Sequence, residues 1–581
     1  MRIDYSRDNL LTNLGRVTLE ERYCLGNEGP QDVFARASKA FSGGDDELAQ
    51  RLYEYSSRQW FSYATPLISN GGTDRGLPIS CFLNYVDDSV QGLADNFQEN
   101  AFLSTSGGGI GTYWGRIRSA GEVTSKGVET PGLMPFLHVM DSQMLAYHQG
   151  STRRGAGAVY IDISHPEIMS FLDMRKPTGD IHRTNENLHH GVCIPDAFME
   201  AVANDSPWSL VDPNSGRIRE TVSARSLWAK LLTTRVQTGE PYLFFIDTAN
   251  RALPRELQEL GLKVHHSNLC TEVTLPTAPD RTAVCCLSSI NVAAYDEWGM
   301  HERQFIHDLI TMLDNTLDVF VEQAPSQMWR AVNSAQRERS VGLGTLGWHT
   351  FLQNRGLVLE DDATSQLNVS MYRSISRTAR RASERLAVER GEAPDMKGSG
   401  LRNAHRMAIA PNATSSLICG EVSPSTEPHA GNVQAQKTLS GTHEVRNPAL
   451  KAVLKDHLKD NDGVWSSIAV NNGSVQHLDF LSTREKLVFR THVENDQGKL
   501  IELAAQRQPF ICQAQSLNLA LPADVTPKEL NRLHTMAWKG GLKALYYLRS
   551  GSVKKTEAVG TVVERTTRPV QDDSDCVACE A

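Results

Sequence analysis

Apolar residues recur at intervals of three and four positions in four long stretches of the chain, a period typical of amphipathic helices. These stretches are residues 46–61, 131–148, 305–324 and 368–390. Shorter apolar runs, bounded by turn-forming residues such as glycine, proline and asparagine, predict strands. The predicted strands are residues 156–163, 269–276, 285–293, 406–411 and 516–522.

Strands that alternate with long helices predict an α/β fold in which much of the pairing is parallel. Residues 1–60 are mostly helical and charged, and the alternating pattern starts at Phe61. Residues 551–581 are polar and offer little apolar surface to bury, so we expect them to form a mobile tail. The sequence thus divides into a helical N-terminal region (1–60), a large α/β region (61–550) and this tail.

The composition excludes several classes of protein. Of the 581 residues, 40% are hydrophobic and 22% are charged, as in an ordinary globular chain. The net charge of −9 provides no basic field for a nucleic-acid polymer. No apolar stretch approaches the roughly 18 residues of a membrane-spanning helix, and the N-terminus lacks the apolar core of a signal peptide. We therefore expect a cytoplasmic protein, in which each of the ten cysteines needs its own explanation.

The segment from Asn268 to Glu272 (NLCTE) carries the most informative combination of side chains. If it is a strand, alternation places Asn268, Cys270 and Glu272 on one face, about 7 Å apart. A neighbouring carboxylate raises the pKa of a thiol. That is unsuited to a thiolate nucleophile and suits a sulfur that must keep or receive a hydrogen atom. The alternative interpretation is a buried structural cysteine.

The remaining cysteines give weaker indications. Cys81 and Cys285 have no diagnostic spacing, and each alone could belong to the core. On a strand, Cys286 faces away from Cys285, so at most one of the two faces a given site. Cys576 and Cys579 form the only CxxC, on the acidic tail. They are either half of a zinc site shared between chains or a mobile dithiol that exchanges with an interior disulfide.

Three further motifs are ambiguous when taken singly. Residues 411–416 (PNATSS) place small hydroxylated side chains where a helix could open, which suits a phosphate or an ordinary helix cap. Residues 149–157 form a glycine-rich loop with two arginines, which suits an anionic ligand or a solvated turn. The adjacent aromatics Tyr546 and Tyr547 are packing residues by default.

The order of these motifs along the chain resembles the catalytic (large) subunit of a class I ribonucleotide reductase. The motifs are ISC (79–81), QGSTRRGAGA (149–158), NLCTE (268–272), VCCLSSIN (284–291), PNATSS (411–416), LYY (545–547) and the terminal CxxC. The resemblance extends from about Phe61 to Ala581. It implies a ten-stranded α/β barrel, built from two antiparallel halves of five parallel strands, with NLCTE on a finger loop through its centre.

The resemblance also implies the chemistry, which is reduction of ribonucleoside diphosphates to 2′-deoxyribonucleotides. Cys270 would become a thiyl radical and abstract the ribose 3′-hydrogen, Glu272 would act as general base, and Asn268 would bind the substrate hydroxyls. Cys81 and Cys285 would reduce the 2′ position and end as a disulfide.

Partners are implied in the same way. Tyr546 and Tyr547 would relay the radical from a metal-containing small subunit, so no cofactor would be bound in this chain. Cys576 and Cys579 would reduce the interior disulfide again and pass the oxidation to thioredoxin or glutaredoxin.

Two nucleotide sites follow from the resemblance. The substrate ribose and diphosphate would be held by Thr65, Ser80, Asn412, Ala413, Thr414 and Ser415. A specificity effector, a deoxynucleotide or ATP, would bind near a homodimer interface at Asp88, Arg118, Gln149 and Arg153.

The sequence departs from the family pattern in three places. Ala413 stands where many relatives carry a glutamate, and Cys286 is an extra thiol. The chain ahead of Phe61 is too short for the regulatory ATP-cone, so we expect overall activity control by that domain to be absent.

Two alternatives stay open at this point. A cobalamin-dependent class II reductase would share the barrel and the cysteines, but it would need no tyrosine relay. A non-catalytic, nucleotide-sensing homologue would have no reason to keep all five cysteines, Glu272 and both tyrosines.

Overall fold

The computed structural model describes residues 1–79, 81–147, 155–176, 184–438 and 441–550. The strands are β1 (Phe61–Tyr63), β2 (Cys81–Tyr85), β3 (Gly109–Tyr113), β4 (Ala156–Asp162), β5 (Leu188–Ile194), β6 (Pro207–Val211), β7 (Ile218–Ser223), β8 (Tyr242–Phe245), β9 (Ala283–Asn291), β10 (Val341–Leu346), β11 (Val433–Thr438), β12 (Gly441–Arg446), β13 (Leu519–Leu521), β14 (Ala544–Leu545) and β15 (Leu548–Ser550).

The α-helices are α1 (Asn13–Arg22), α2 (Pro30–Ala40), α3 (Asp46–Ser57), α4 (Thr65–Asn70), α5 (Val90–Thr105), α6 (Met134–Ala146), α7 (Ile168–Asp173), α8 (Asp196–Asn204), α9 (Ala224–Thr238), α10 (Ile246–Arg251), α11 (Arg255–Glu259), α12 (Tyr295–Trp298), α13 (Glu302–Gln323), α14 (Trp329–Glu338), α15 (Trp348–Gln353), α16 (Asp362–Arg390), α17 (Ala413–Ile418), α18 (Pro448–Asp456), α19 (Asp462–Val470), α20 (Thr483–Val488), α21 (Gln497–Arg507) and α22 (Pro527–Lys539).

The N-terminal helices pack against the α/β region. The apolar face of α3 is buried in the same core as the strands, and α3 is tied to α13 by an ion pair. In this pair Arg51 Nε lies 2.7 Å from Asp308 Oδ2, which is almost fully buried. The chain then enters the sheet at β1, which pairs antiparallel with β9.

The first half of the barrel consists of five parallel strands in the order β2, β3, β4, β5 and β8. Their residues are buried almost throughout, which explains why the strands are nearly continuous apolar runs. At one side β2 pairs antiparallel with β9, and at the other β8 pairs antiparallel with β14. These two antiparallel pairings are the seams of the barrel, and each joins the first half to a strand that runs in the opposite direction.

The second half is also parallel, but two of its segments are barely strand-like. β10 pairs with β9, residues 407 and 409 make single bridges to residues 343 and 515, and β13 pairs with β15. The five segments of this half are β9, β10, residues 407–409, the residues around 515, and β14, and they run in one direction against the first half. β13 and β15 form a separate two-stranded sheet. The ten-stranded barrel of two antiparallel halves is confirmed, although the predicted strand 406–411 is reduced to two bridging residues and 516–522 to Leu519–Leu521.

The prediction of a strand at 269–276 is wrong. These residues form the buried finger loop inside the barrel, and Thr271 has a φ of 66°, which a strand does not allow. The apolar residues of this segment are buried on all sides, so their spacing reflects enclosure rather than strand alternation. The four predicted helices are confirmed as α3, α6, α13 and part of α16.

No helix in the described part of the chain has both the length and the apolar character needed to cross a lipid bilayer.

At Gly111 on β3, the backbone of the finger loop lies in close contact with the barrel wall. A Cβ atom at this position would lie 2.2 Å from the carbonyl oxygen of Ser267 and 2.8 Å from Cα of Asn268. Only glycine fits such a close backbone approach. We expect Gly111→Ala to displace the loop and to lower the free energy of unfolding by about 1–3 kcal/mol, measured by chemical denaturation.

The matched control is Gly29→Ala, because a Cβ atom at Gly29 would make only an ordinary contact of 3.7 Å with Asp32. Equal stability of the Gly111→Ala variant and the unaltered protein would contradict the prediction.

Candidate active site

The finger loop is held by hydrogen bonds from both halves of the barrel. From β4, the Tyr160 hydroxyl donates to the Asn268 carbonyl oxygen at 2.7 Å. From the second half, the Ala514 N–H donates to the Glu272 carbonyl oxygen at 2.8 Å. Between them, Thr271 takes the left-handed conformation that turns the tip of the loop. The loop therefore presents its side chains in a fixed geometry.

The side chains of the loop tip meet Cys81 at the start of β2. Cys81 Sγ lies 3.8 Å from Glu272 Oε1, and the Asn268 amide donates to the same sulfur at 3.3 Å. The Ser516 hydroxyl donates to Glu272 Oε2 at 3.1 Å. Burial raises the pKa of Glu272 to about 7, although hydrogen bonds from its own backbone N–H, Asn268, Ser516 and Cys81 oppose that rise. The carboxyl group is therefore suited to exchange a proton near neutral pH.

Cys285 lies directly opposite Cys81 across the antiparallel seam between β9 and β2. Opposed residues of such a pair have Cα atoms about 4.5–5.5 Å apart, which lies within the range that a disulfide can bridge. Both cysteines are almost fully buried. Burial, followed by the proximity of Cys81, raises the pKa of Cys285 well above its ordinary value. The sulfur is therefore a neutral thiol, which can donate a hydrogen.

Two further residues complete the environment of Cys285. The Gln513 amide donates to Cys285 Sγ at 3.6 Å and to the Val341 carbonyl oxygen at 3.1 Å. Cys286, the extra thiol, interacts with Thr316 on α13 instead. The two adjacent cysteines thus face opposite sides of β9.

Tyr546 and Tyr547 lie in contact, with ring centroids 4.2 Å apart. Tyr546 is buried in the same apolar cluster as Cys270, and Tyr547 is only partly buried at its edge. Tyr242 on β8 packs against both, at 4.8 Å and 5.1 Å. The buried Arg235 donates to the Tyr546 carbonyl oxygen at 3.0 Å and so holds the backbone of the pair. The tyrosine pair therefore extends from the buried cluster that contains Cys270 to a ring that is partly exposed.

A histidine and a carboxylate lie beside the outer tyrosine. The Tyr547 hydroxyl is 3.3 Å from Nδ1 of His189, and this nitrogen is 2.5 Å from Oε1 of the buried Glu240.

The residues expected to bind substrate are only partly brought together. Asn412 has a φ of 59°, and its side chain makes no capping hydrogen bond to α17. Instead, its amide accepts a hydrogen bond from the Ser289 hydroxyl and donates to the carbonyl oxygens of Thr345 and Ala410. The side chain therefore fixes the turn before α17. Ala413 is exposed, whereas Thr414 and Ser415 are buried in the first turn of α17. Thr65 begins α4, where its hydroxyl lies 3.3 Å from that of Tyr23. Ser80 is outside the described residues.

Part of the expected effector site is described. The Arg118 Nε donates to Asp88 Oδ2 at 2.9 Å, and Asn214, between β6 and β7, donates to the same carboxylate oxygen at 2.8 Å. Four other predicted site residues lie outside the described part of the chain. They are Gln149, Arg153, Cys576 and Cys579.

Sequence reasoning missed several residues that contact the site. Gln513 and Ser516 lie in a stretch, residues 511–520, that also contains Gln515 and Asn518, so nothing in the sequence singles them out. His189 and His190 interrupt the apolar strand β5 and could have been noticed as polar residues within a buried strand. Nothing in the sequence connects these histidines with Glu240, because 51 and 50 residues separate them.

A closed α/β barrel with a cysteine on a central loop and two opposed thiols in its wall defines a thiol-based oxidoreductase. Two family models match the chain, described as "Ribonucleotide reductase, all-alpha domain" over residues 9–76 and "Ribonucleotide reductase, barrel domain" over residues 79–400 and 394–548. The chain therefore belongs to the ribonucleotide reductase family, with the domains of its large subunit.

Individual relatives agree with this result. A Frog virus 3 (isolate Goorha) protein, named as a ribonucleoside-diphosphate reductase large subunit, is 45% identical to this chain over 551 residues. The alignment covers 94% of this chain and 95% of that protein. The ribonucleoside-diphosphate reductase large subunit of Invertebrate iridescent virus 3 is 41% identical over 636 residues, covering 100% of this chain and 99% of that protein. The Actinobacillus ureae class Id ribonucleotide reductase alpha subunit, a solved structure, superposes with a TM-score of 0.84 at 34% identity, covering 95% of this chain and 99% of that chain.

The burial of Glu272 has a measurable effect on stability. Its pKa is raised in the folded state, so the folded protein binds more protons than the unfolded chain between pH 4.5 and about 7. Stability therefore falls as the pH rises through this window. We expect Glu272→Gln to leave the melting temperature nearly unchanged at pH 5 and to raise it relative to the unaltered protein at pH 8. Calorimetry of both proteins at the two pH values checks this, and an equal difference at pH 5 and pH 8 would contradict it.

Proposed function

We propose that this chain, a ribonucleotide reductase large subunit, reduces the 2′ carbon of ribonucleoside diphosphates through a thiyl radical on Cys270. The observation that carries the proposal is that Glu272 of the finger loop contacts Cys81, which lies opposite Cys285, in one buried site. Cys270 is buried on the same loop, two residues before Glu272. The match to a class I alpha subunit supports a radical supplied by a separate small subunit.

The residues divide the chemistry as follows. The Cys270 radical takes the ribose 3′-hydrogen, and Glu272 takes the 3′-hydroxyl proton, for which a pKa of about 7 is well matched. The thiols of Cys81 and Cys285 supply two electrons and two protons, so that the 2′-hydroxyl leaves as water and a disulfide forms. Cys270 then returns the hydrogen to the 3′ carbon, and Glu272 returns its proton to the 3′ oxygen. Asn268, which contacts Cys81, orients the substrate hydroxyls.

Tyr546 and Tyr547 carry the radical between the small subunit and Cys270. Their ring contact and the burial of Tyr546 beside the Cys270 cluster support this role, since an electron can pass between touching rings without exposing the radical to water. A cofactor that makes a radical in place would need no such relay.

Nucleotides occupy two sites in this proposal. Thr65, Thr414 and Ser415, with Ser80, hold the substrate ribose and diphosphate, and the backbone N–H groups in the first turn of α17 replace the side-chain contact that Ala413 cannot make. A deoxynucleotide or ATP binds as effector around Asp88 and Arg118, with Gln149 and Arg153 from the neighbouring loop, at a homodimer interface. The reducing cytoplasm is the compartment that suits an enzyme whose chemistry depends on cysteine thiols.

The central test is activity with and without a radical source. We expect the purified chain to reduce a ribonucleoside diphosphate only when a radical-generating small subunit is added, and Cys270→Ser to abolish product, measured by chromatography of the deoxynucleotide. Cys24→Ser is the control, because Cys24 lies between α1 and α2 and belongs neither to the finger loop nor to the strands that carry Cys81 and Cys285. Turnover with adenosylcobalamin alone would instead assign the chain to the cobalamin-dependent class.

The interior disulfide must be reduced again in every cycle. Cys81 is 3% exposed and Cys285 is 0% exposed, so a protein reductant cannot reach them directly. Cys576 follows Ser550 by 26 positions, a length of chain that spans at most roughly 90 Å when extended, which is ample for a tail dithiol to reach the site. Cys576 and Cys579 then pass the oxidation to thioredoxin or glutaredoxin by thiol–disulfide exchange.

We expect the double variant Cys576→Ser, Cys579→Ser to keep most of its activity with a small dithiol and to lose at least tenfold with thioredoxin. The measurement is the steady-state rate with each reductant. Equal losses with both reductants, or none with either, would contradict the role of the tail.

A further inference from the structure

The backbone of the tyrosine pair is held in part by main-chain groups of the second half-barrel. The Tyr546 N–H donates to the Leu517 carbonyl oxygen at 2.9 Å, and the Leu519 N–H donates to the Tyr547 carbonyl oxygen at 3.0 Å. The Tyr547 N–H donates instead to a side chain, Oδ1 of Asn518, at 3.1 Å. The two ends of an amide are alike in shape and opposite in hydrogen bonding. The bond to Tyr547 therefore depends on which way the Asn518 amide is turned.

Glu427 sets the orientation of this amide. Its Oε1 accepts the Asn518 backbone N–H at 2.6 Å, and its Oε2 accepts from Nδ2 of the same residue at 3.1 Å. An ionised carboxylate only accepts hydrogen bonds, so it faces the amide nitrogen and leaves the amide oxygen for Tyr547. Burial raises the pKa of Glu427 to about 7, and the two hydrogen bonds from Asn518, followed by Arg549 and Arg507, oppose that rise. Both side chains are buried, so water has little access to these bonds.

Glu427 reaches Asn518 from a distant part of the chain. It lies on the segment between α17 and β11, 91 positions before Asn518. Asn518 directly precedes β13, whose Leu519 pairs with Leu548 on β15. Since β15 begins directly after Tyr547, a shift of Asn518 would reach the tyrosine through the side-chain bond and through this pairing.

We infer that Glu427 is a positioning residue of the radical relay, which fixes the Asn518 amide and thereby holds Tyr547 in contact with Tyr546. This inference rests on the relay in the proposed function and adds a residue to it. Glu427 itself exchanges no electron or proton in the relay. Because transfer between the two rings requires a defined geometry, a displaced Tyr547 slows the relay and leaves the substrate site unaltered.

The first test is Glu427→Gln, which keeps the shape of the side chain and replaces one acceptor by a donor. The oxygen of the new glutamine can accept the Asn518 backbone N–H, but its nitrogen then faces Nδ2 of Asn518. Asn518 must turn its own oxygen towards the glutamine, which leaves its nitrogen against the Tyr547 N–H. With the complete enzyme at pH 8, where Glu427 is ionised, we expect kcat to fall at least tenfold and the KM for the ribonucleotide to stay unchanged.

The matched control is Glu338→Gln. Glu338 is a buried carboxyl on α14, and it accepts hydrogen bonds from the hydroxyls of Ser334 and Ser340 at 2.6 Å and 3.0 Å. A hydroxyl can either donate or accept, so both partners can adapt to the new amide. This variant should therefore keep the kcat of the unaltered enzyme.

The second test separates positioning from packing by exchanging the two side-chain types. In the double variant Glu427→Gln, Asn518→Asp, the new aspartate accepts from the new glutamine with one oxygen and from the Tyr547 N–H with the other. The pair keeps its single negative charge. We expect the double variant to recover most of the lost kcat. Asn518→Asp alone should be at least tenfold slower than the unaltered enzyme, because it sets two carboxylates against each other.

A spectroscopic measurement locates the defect in the relay. With a substrate analogue that traps the radical, the small subunit loses its oxidised signal at a rate that reports radical transfer. This rate should fall in Glu427→Gln by the same factor as kcat and recover in the double variant.

The remaining outcomes are also decisive. An unaltered kcat in Glu427→Gln, or a double variant no faster than it, would overturn this inference and leave the proposed function intact. Loss of the fold in the single and double variants alike would show that the two side chains serve packing, and it would also overturn the inference. No turnover by the unaltered chain with its small subunit would overturn the proposed function and this inference with it.

Discussion

The structure depends on the enclosure of a polar loop inside a closed barrel. Every buried backbone group of the finger loop needs a partner, since an unpaired one costs about 1–3 kcal/mol. The partners come from opposite walls: Tyr160 belongs to the first half of the barrel, whereas Ala514 and Ser516 belong to the second. The loop is therefore fixed only when both halves are closed around it, which couples the formation of the site to the completion of the fold.

The same enclosure sets the chemistry. Excluding water raises the pKa of Glu272 to about 7 and that of the Cys285 thiol well above its ordinary value, because burial disfavours the charged form of each. In water, the carboxyl would be fully ionised at neutral pH and unable to return a proton. In the barrel, it can both take and give one. Neutral thiols likewise retain the hydrogens that reduction of the 2′ carbon consumes.

The sequence predicted those parts of the fold that local pattern decides. The amphipathic period of α13 and α16 and the apolar run of β4 were sufficient to locate these elements. Residues 269–276 were mistaken for a strand because a loop that is buried on all sides carries apolar residues at spacings that resemble the alternation of a half-buried strand. The His189–Glu240 contact could not be predicted, because it depends on how β5 lies against the residues that precede β8 rather than on either segment alone. The motif order identified the candidate residues, but the distances among them come from the barrel.

The antiparallel seam between β2 and β9 illustrates how a register selects a function. The sequence offers two adjacent thiols, Cys285 and Cys286, and nothing local distinguishes them. A shift of one residue would exchange their faces, because side chains on a strand alternate with a period of two. Pairing of Cys81 with Cys285 places Cys286 towards Thr316 on α13, in the packed layer outside the barrel. The seam thus decides which sulfur belongs to the site, and closure of the two half-barrels, rather than cysteine spacing, creates the dithiol.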